Sequence, residues 1–139
     1  MNSVITLTLP GDIRFTRLAS QTASNTASLF TDTCNAGAGN WEFSHAFELA
    51  VSEAFTNAVN YGDRMQGTRD ITITFTIEQR KLTVAIRDAN APFSAETPEP
   101  DIETYPERGY GLMLIRTLMD TVTICRENGE NVITMTKQL

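Results

Sequence analysis

The sequence predicts an α+β two-layer sandwich, in which a mixed but mostly antiparallel sheet of about five strands is covered on one face by about three helices. Two observations support this class. The predicted elements follow the order strand, helix, helix, strand, strand, long loop, helix, strand, strand, with hairpins in two places. Each helical segment has a single apolar stripe to bury against a sheet. A length of 139 residues fits one domain, residues 1–139.

The beginning of the chain predicts a strand followed by a helix. Residues 4–9 read VITLTL, in which apolar residues alternate with threonine as in a half-buried strand. Pro10 ends this strand, and Asp12 is expected to cap a helix over residues 13–30. Small polar residues at 31–40 then predict a loop.

The middle of the chain contains the clearest helix and a hairpin. Apolar residues recur at helical spacing over about 44–60. They are Phe47, Ala50, Val51, Ala54, Phe55 and Ala58. Residues 70–78 and 81–88 each alternate apolar and polar side chains, and the two residues between them are enough for a tight turn. These two segments are therefore predicted to be paired antiparallel strands.

The last part of the chain contains a long loop, a helix and a second hairpin. Residues 89–108 hold four of the five prolines and five acidic residues. A loop of about twenty residues in a compact domain tends to be a lid, a binding loop or a disordered segment. Residues 109–119 return to helical spacing. Residues 121–139 are predicted to form a hairpin, with Asn128 and Gly129 in a type I′ turn.

Charge and composition narrow the possible functions. Seventeen acidic residues against eleven basic ones give a net charge of −6, which argues against direct nucleic-acid binding. The chain has only two lysines and no GxxxxGK[ST] motif, which excludes a P-loop. Its two cysteines are far apart and it has one histidine, so neither a disulfide nor a metal cage is predicted. No segment approaches roughly 18 continuous apolar residues, so we expect a cytoplasmic protein with no membrane partner.

Three polar side chains on the second helix form the first candidate site. Glu53, Asn57 and Asn60 are spaced i, i+4 and i+7, which places them along one side of the helix. They either simply face water or form a polar row beside the core.

A strand end and a glycine pair form the other candidates. Asp88 has the parity of the apolar residues of its strand, so its carboxylate lies beyond the edge of the core or meets hydrogen-bond donors. Gly109 and Gly111 stand at the start of the third helix, where a backbone can approach a ligand closely and helix-terminal amides suit a phosphate.

Taken in order, these three motifs resemble those of the GHKL (Bergerat-fold) ATPase superfamily, and most closely those of its bacterial anti-sigma-factor serine kinases. EAFTNAV at 53–59 is similar to the family's asparagine box, DANAPF at 88–93 to its first glycine box, and GYGLMLI at 109–115 to its second. The similarity extends over residues 4–139.

The resemblance implies a role for each motif. Asn57 would ligate a magnesium ion on the phosphates of ATP, Glu53 would be the general base, and Asp88 would accept the adenine amino group. Residues 89–108 would form the ATP lid. The other positions implied in nucleotide binding are Asn60, Asn90, Phe93, Arg108, Gly109, Tyr110, Gly111 and Leu112. One of them, Asn90, stands where the family has glycine and adds a side chain beside the expected adenine pocket.

The function implied is that of an anti-sigma-factor serine/threonine kinase. Such a kinase phosphorylates an anti-anti-sigma antagonist of the STAS type and alternates between that antagonist and a sigma factor or other regulator; a homodimer is implied as well. One alternative is an adaptor that sequesters a regulator by binding alone. Another, the ATP-binding half of a histidine kinase, is disfavoured because the single histidine, His45, lies just before the asparagine box.

Overall fold

A computed structural model of the chain describes residues 3–34, 40–60, 69–90 and 106–139, with the side chains of residues 106–110 excepted. Five strands and three α-helices follow one another in the predicted order. The elements are β1 (Ser3–Pro10), α1 (Thr16–Thr33), α2 (Trp41–Asn60), β2 (Asp70–Glu78), β3 (Lys81–Asp88), α3 (Pro106–Leu118), β4 (Thr121–Glu127) and β5 (Glu130–Gln138).

The strands form one sheet in the order β1-β2-β3-β5-β4, and each neighbouring pair is antiparallel. The chain leaves β3 for α3 and returns to the sheet edge as β4, after which β5 fills the position beside β3. This crossover pairs Asp88 at the end of β3 with Asn131 at the start of β5. The α+β fold class is confirmed, and the described pairings are all antiparallel rather than mixed.

Helix boundaries differ from the prediction at several ends. A 3-10 turn at Ile13–Phe15 precedes α1, and Asp12 caps that turn by accepting from the Arg14 backbone N–H. Hydrogen bonds from the Arg14 side chain also lower the pKa of Asp12. Helix α2 begins three residues earlier than predicted, because the Asn40 carbonyl accepts from the N–H groups of Phe43 and Ser44.

The core lies between the helices and one face of the sheet. Large side chains from both layers are fully buried there. They include Phe30, Phe47, Phe55, Phe75, Ile73, Leu82, Ile86, Ile115 and Met135. Small residues allow α1 to approach α2: Ala19, Ala23 and Ala27 have no exposed surface. A hydrogen bond between the hydroxyls of Ser28 and Ser44 and the stacking of Phe30 on Phe43 also join α1 to α2.

The opposite face of the sheet has a different composition. Its register places threonine side chains beside one another on neighbouring strands. Two such pairs are hydrogen bonded, Thr8 with Thr72 and Thr83 with Thr136. Within the described ranges, the helices pack on the apolar face and leave this threonine face uncovered, as predicted. In the same ranges no helix is long and apolar enough to cross a membrane.

The β4–β5 turn confirms a detail of the prediction. Asn128 and Gly129 have φ angles of 53° and 80°, the left-handed values that a type I′ turn requires at both central positions.

Two aromatic residues of α2 test the position of the core. Phe47 is fully buried, whereas Trp41 is 67% exposed. Phe47→Ala is expected to lower the free energy of unfolding by about 3 to 5 kcal/mol, because it leaves a cavity between helix and sheet. Trp41→Ala is the matched control and should cost about 0.5 kcal/mol or less. Urea unfolding followed by circular dichroism measures both, and equal losses would contradict the packing described.

Candidate functional site

Helix α2 supplies a carboxylate and an amide at the edge of the core. Glu53 and Asn57 lie one turn apart and both are half-buried, while Asn60, the last residue of the helix, is exposed. Of the polar row expected from the sequence, two members therefore face the interior of the molecule. Partial burial beside an apolar stripe requires these two side chains to meet polar partners or a ligand.

Helix α3 approaches Glu53 and Asn57 through a glycine. A Cβ placed on Gly111 would lie 2.9 Å from Glu53 Oε2 and 3.2 Å from Asn57 Nδ2. Gly111 is buried, and Ile115, one turn later on the same face of α3, is fully buried in the core. Ile115 thus anchors the helix, and the absence of a side chain at 111 lets its backbone reach the polar pair.

Helix α3 begins earlier than the sequence analysis expected. The helix starts at Pro106 and not at Gly109, so Gly109 and Gly111 lie in its first and second turns. Proline suits a first helical position, where its fixed φ is helical and its missing N–H leaves no bond unmade. Arg108, Gly109 and Tyr110 belong to α3, but the side chains of Arg108 and Tyr110 lie outside the described part, and Leu112 is half-buried.

Strand β3 ends at Asp88, whose carboxylate is hydrogen bonded through only one of its two oxygens in the described ranges. Oδ1 accepts from the backbone N–H of Asn90 at 3.1 Å and from Asn131 Nδ2 at 3.0 Å. In the described ranges no side chain or backbone group donates to Oδ2. Of the two possibilities that the sequence left open for this strand-end carboxylate, the structure shows the one in which it meets donors.

The side chain of Asn90 is directed toward α2. Its Nδ2 donates to the carbonyl of Ala58 at 2.8 Å. Its φ is not among the positive values, which in the described non-glycine residues occur at Arg80 and Asn128. The backbone here therefore does not need glycine, and an asparagine fits without strain.

Two residues of the last hairpin belong to the site and were missed by sequence reasoning. Asn131 donates to Asp88, and the Arg126 guanidinium donates to Asn131 Oδ1 at 3.1 Å and to the Asn90 carbonyl at 3.2 Å. The signal available in the sequence was Asn131 itself, an asparagine within a run of residues that favour β-strands. Its meaning depends on the pairing of β5 with β3, which joins segments distant in sequence.

Some predicted site positions cannot be located. Phe93 and residues 91–105 of the expected lid lie outside the described residues. Helix α3 overlaps the last three residues of the 89–108 segment.

The chemistry of the donor set fits a hard divalent cation. Glu53 and Asn57 offer carboxylate and amide oxygens, which are ligands that Mg²⁺ accepts while it keeps waters or takes phosphate oxygens at its other positions. The contact with Gly111 keeps both side chains close to the α3 backbone. Across 3–34, 40–60, 69–90 and 111–139, no three His, Cys, Asp or Glu side chains come together as metal ligands.

The chain is similar to one protein family and to several relatives that share one name. The family model of the histidine kinase-like ATPase domain matches residues 15–137. The serine-protein kinase RsbW of Listeria monocytogenes is 32% identical over 100% of this chain and 89% of its own length. The proteins of that name from Staphylococcus aureus and Oceanobacillus iheyensis are 37% and 36% identical, over 66% and 59% of this chain and 64% and 58% of their own lengths.

Two glycine substitutions separate the site from the stability of the fold. Gly111→Ala is expected to shift the Asn57 side-chain amide resonance, because the new methyl group displaces Glu53 and Asn57. The free energy of unfolding should stay within about 1 kcal/mol, since the Glu53 carboxylate can move and alanine favours the helix. NMR and urea unfolding provide the two readouts.

Gly129→Ala is the control, in which we expect a loss of stability and no change at Asn57. No atom lies within 4 Å of a Cβ at Gly129, but its φ is +80°. This variant should lose about 1 to 2 kcal/mol of stability and leave the Asn57 resonance in place. An unmoved Asn57 resonance in Gly111→Ala would contradict the close contact between α3 and α2.

Proposed function

The chain belongs to the histidine kinase-like ATPase domain family, and from that premise we propose that it is an anti-sigma-factor serine/threonine protein kinase that uses Mg-ATP. The observation that carries the proposal is the placement of Glu53 and Asn57 directly against the Gly111 backbone. A general base, a metal-binding amide and a close-approaching helix are the parts that phosphoryl transfer requires, because the reaction depends mainly on positioning and charge neutralisation. The names of the relatives support the same activity.

Asp88 is proposed to recognise the adenine base. Its Oδ2 would accept from the exocyclic amino group, while Oδ1 stays bonded to Asn90 and Asn131. A carboxylate with both donors on one oxygen presents an acceptor of fixed direction. Guanine has a carbonyl oxygen at the equivalent position, so this arrangement favours adenine.

Glu53 is proposed to be the general base. Its carboxylate would take the proton of the substrate hydroxyl as the hydroxyl oxygen bonds to the γ-phosphorus, and the bond from that phosphorus to the bridging oxygen of ADP would break. Asn57 would hold Mg²⁺, whose contribution when bound is to neutralise and orient the phosphate oxygens. Glu53 and Asn57 are adjacent on α2, so the base would lie close to the phosphates.

The remaining nucleotide contacts are proposed from the glycine boxes. They would come from Asn60, Asn90, Phe93, Arg108, Gly109, Tyr110, Gly111 and Leu112. Residues 89–108, with the start of α3 included, would be the lid over the nucleotide.

The partners are proposed from the family resemblance. The substrate would be a serine or threonine of an STAS-type anti-anti-sigma antagonist, and the alternative partner would be a sigma factor or other regulator, in the cytoplasm. A net charge of −6 supports protein partners over nucleic acid. A homodimer would use the outer side of α1 or the threonine face.

Glu53→Gln tests catalysis. Phosphate transfer from radiolabelled Mg-ATP to a panel of STAS-type antagonist domains should fall by about 100-fold or more, because the amide cannot accept the hydroxyl proton. Mg-ATP affinity should change by no more than about threefold. Glu42→Gln, on the exposed start of the same helix, should keep the wild-type rate. An unlabelled panel together with tight, nucleotide-independent binding of a partner would instead favour the adaptor.

Asp88→Asn tests base recognition. The amide of the variant can keep its carbonyl oxygen toward Asn90 and Asn131, so its NH₂ group would face the adenine amino group, donor against donor. Calorimetry should show a loss of ATP affinity of about 10-fold or more, with GTP affinity unchanged or improved. Asp32→Asn, an exposed substitution on α1, is the matched control. Equal losses for ATP and GTP would contradict the assignment.

A further inference from the structure

Asn90 makes hydrogen bonds to four different elements, α2, β3, β4 and β5. Its backbone N–H donates to Asp88 at the end of β3, and its side chain donates to the Ala58 carbonyl of α2. Its own carbonyl accepts from Arg126 and, at 3.4 Å, from Asn131. A residue two positions after the end of β3 is thereby held by one helix and three strands.

The bond to Ala58 satisfies a carbonyl that the helix leaves open. The last four carbonyls of an α-helix have no partner within it, and Ala58 is two residues from the end of α2. Ala58 is also 9% exposed, so water has little access to this group. The Asn90 amide therefore caps α2 from the side, which a glycine at the same position could not do.

Ala58 and Asp88 each adjoin one half of the proposed nucleotide site. Ala58 directly follows Asn57, the proposed magnesium ligand. Asp88, the proposed adenine acceptor, is held by the same residue that holds Ala58. A single residue thus connects the part of the site that would bind the base, through its backbone N–H, with the part that would bind the phosphates, through its side-chain amide.

We propose that Asn90 is a positioning residue for nucleotide binding, which fixes Asp88 and Asn57 relative to each other before the nucleotide arrives. This inference rests on the proposed function, because it concerns the same site. A ligand that touches both halves gains affinity when their separation is set in advance, since less ordering is left for the binding step. A ligand that touches one half gains little.

Asn90→Gly tests this role by comparing two ligands. We expect the affinity for Mg-ATP, which spans both halves, to fall by about 3- to 10-fold, the usual effect of one hydrogen bond. The affinity for adenosine, which reaches only the base half, should change by less than about twofold. Calorimetry measures the first, and ligand-observed NMR titration measures the second.

Two further variants separate the bond from other effects. Asn90→Ala also removes the amide but keeps ordinary backbone freedom, so it should match Asn90→Gly. Asn25→Ala is the control for Asn90→Ala, because it makes the same side-chain change at an exposed position of α1. It should alter neither affinity. A loss confined to Asn90→Gly would make backbone flexibility the cause and overturn the proposal.

A measurement without nucleotide tests the hydrogen bond between Asn90 and Ala58 itself. Amide hydrogen exchange at residues 57–60 should accelerate several-fold in Asn90→Ala, while exchange in β2 stays unchanged. Unaltered exchange overturns the proposal, as does tighter binding of both ligands by Asn90→Gly, which would mean that the side chain obstructs the pocket.

The wild-type titration separates this inference from the proposed function. A wild-type chain that binds no Mg-ATP would contradict the proposed function, and faster exchange in the variant would then make Asn90 a structural cap alone. Normal wild-type binding with no difference between the two ligands would overturn only the positioning role.

Discussion

Helix α2 must bury an apolar face and still keep polar side chains within reach of a ligand, and the rest of the structure depends on how it does both. It is packed by α1, by α3 and by strand β3. Phe47, Val51 and Phe55 fill the space toward the sheet with no exposed surface. Glu53 lies between Val51 and Phe55 along the helix and Asn57 follows Phe55, and both are half-buried at the boundary of the core. Their position follows from the rigidity of the core, since an α-helix held on three sides has little freedom to rotate.

Close approach of backbone to side chain recurs around this helix and defines the site. On one side, the lack of a side chain at Gly111 lets α3 reach Glu53 and Asn57. On another, the Ala58 carbonyl is reached by the Asn90 amide. Both contacts lie in the second half of α2. The second half of α2 therefore carries the contacts that bring α3 and Asn90 to the candidate site.

The sequence was informative where structure is set locally, and less so where it depends on pairing across the chain. Helical spacing was enough to group Glu53 with Asn57, and parity along β3 left two possibilities for Asp88, a position beyond the edge of the core or contact with donors. The donors were not predicted, because Asn131 reaches Asp88 only through the β3–β5 register, which a crossover creates. The start of α3 was predicted three residues too late for a different reason. A proline such as Pro106 is common both in loops and at the first position of a helix, so local propensity does not decide between the two. The direction of the Asn90 side chain likewise depends on the end of α2, which is distant in sequence.

The charges of the molecule explain how an acidic, lysine-poor chain would hold a polyanion. Lys81 is paired with Glu78 at 3.2 Å, and Lys137 donates to the Leu118 carbonyl at 3.0 Å, so both lysines have partners away from the site. Arg126, which does lie at the site, donates to Asn90 and Asn131 on the base side. Positive potential on the phosphate side would come from the N–H groups that open α3, from a divalent cation on Asn57 and from Arg108, which is proposed to contact the nucleotide. A site of that kind binds the nucleotide and its metal together, because neither Asn57 nor a helix terminus neutralises three phosphates alone.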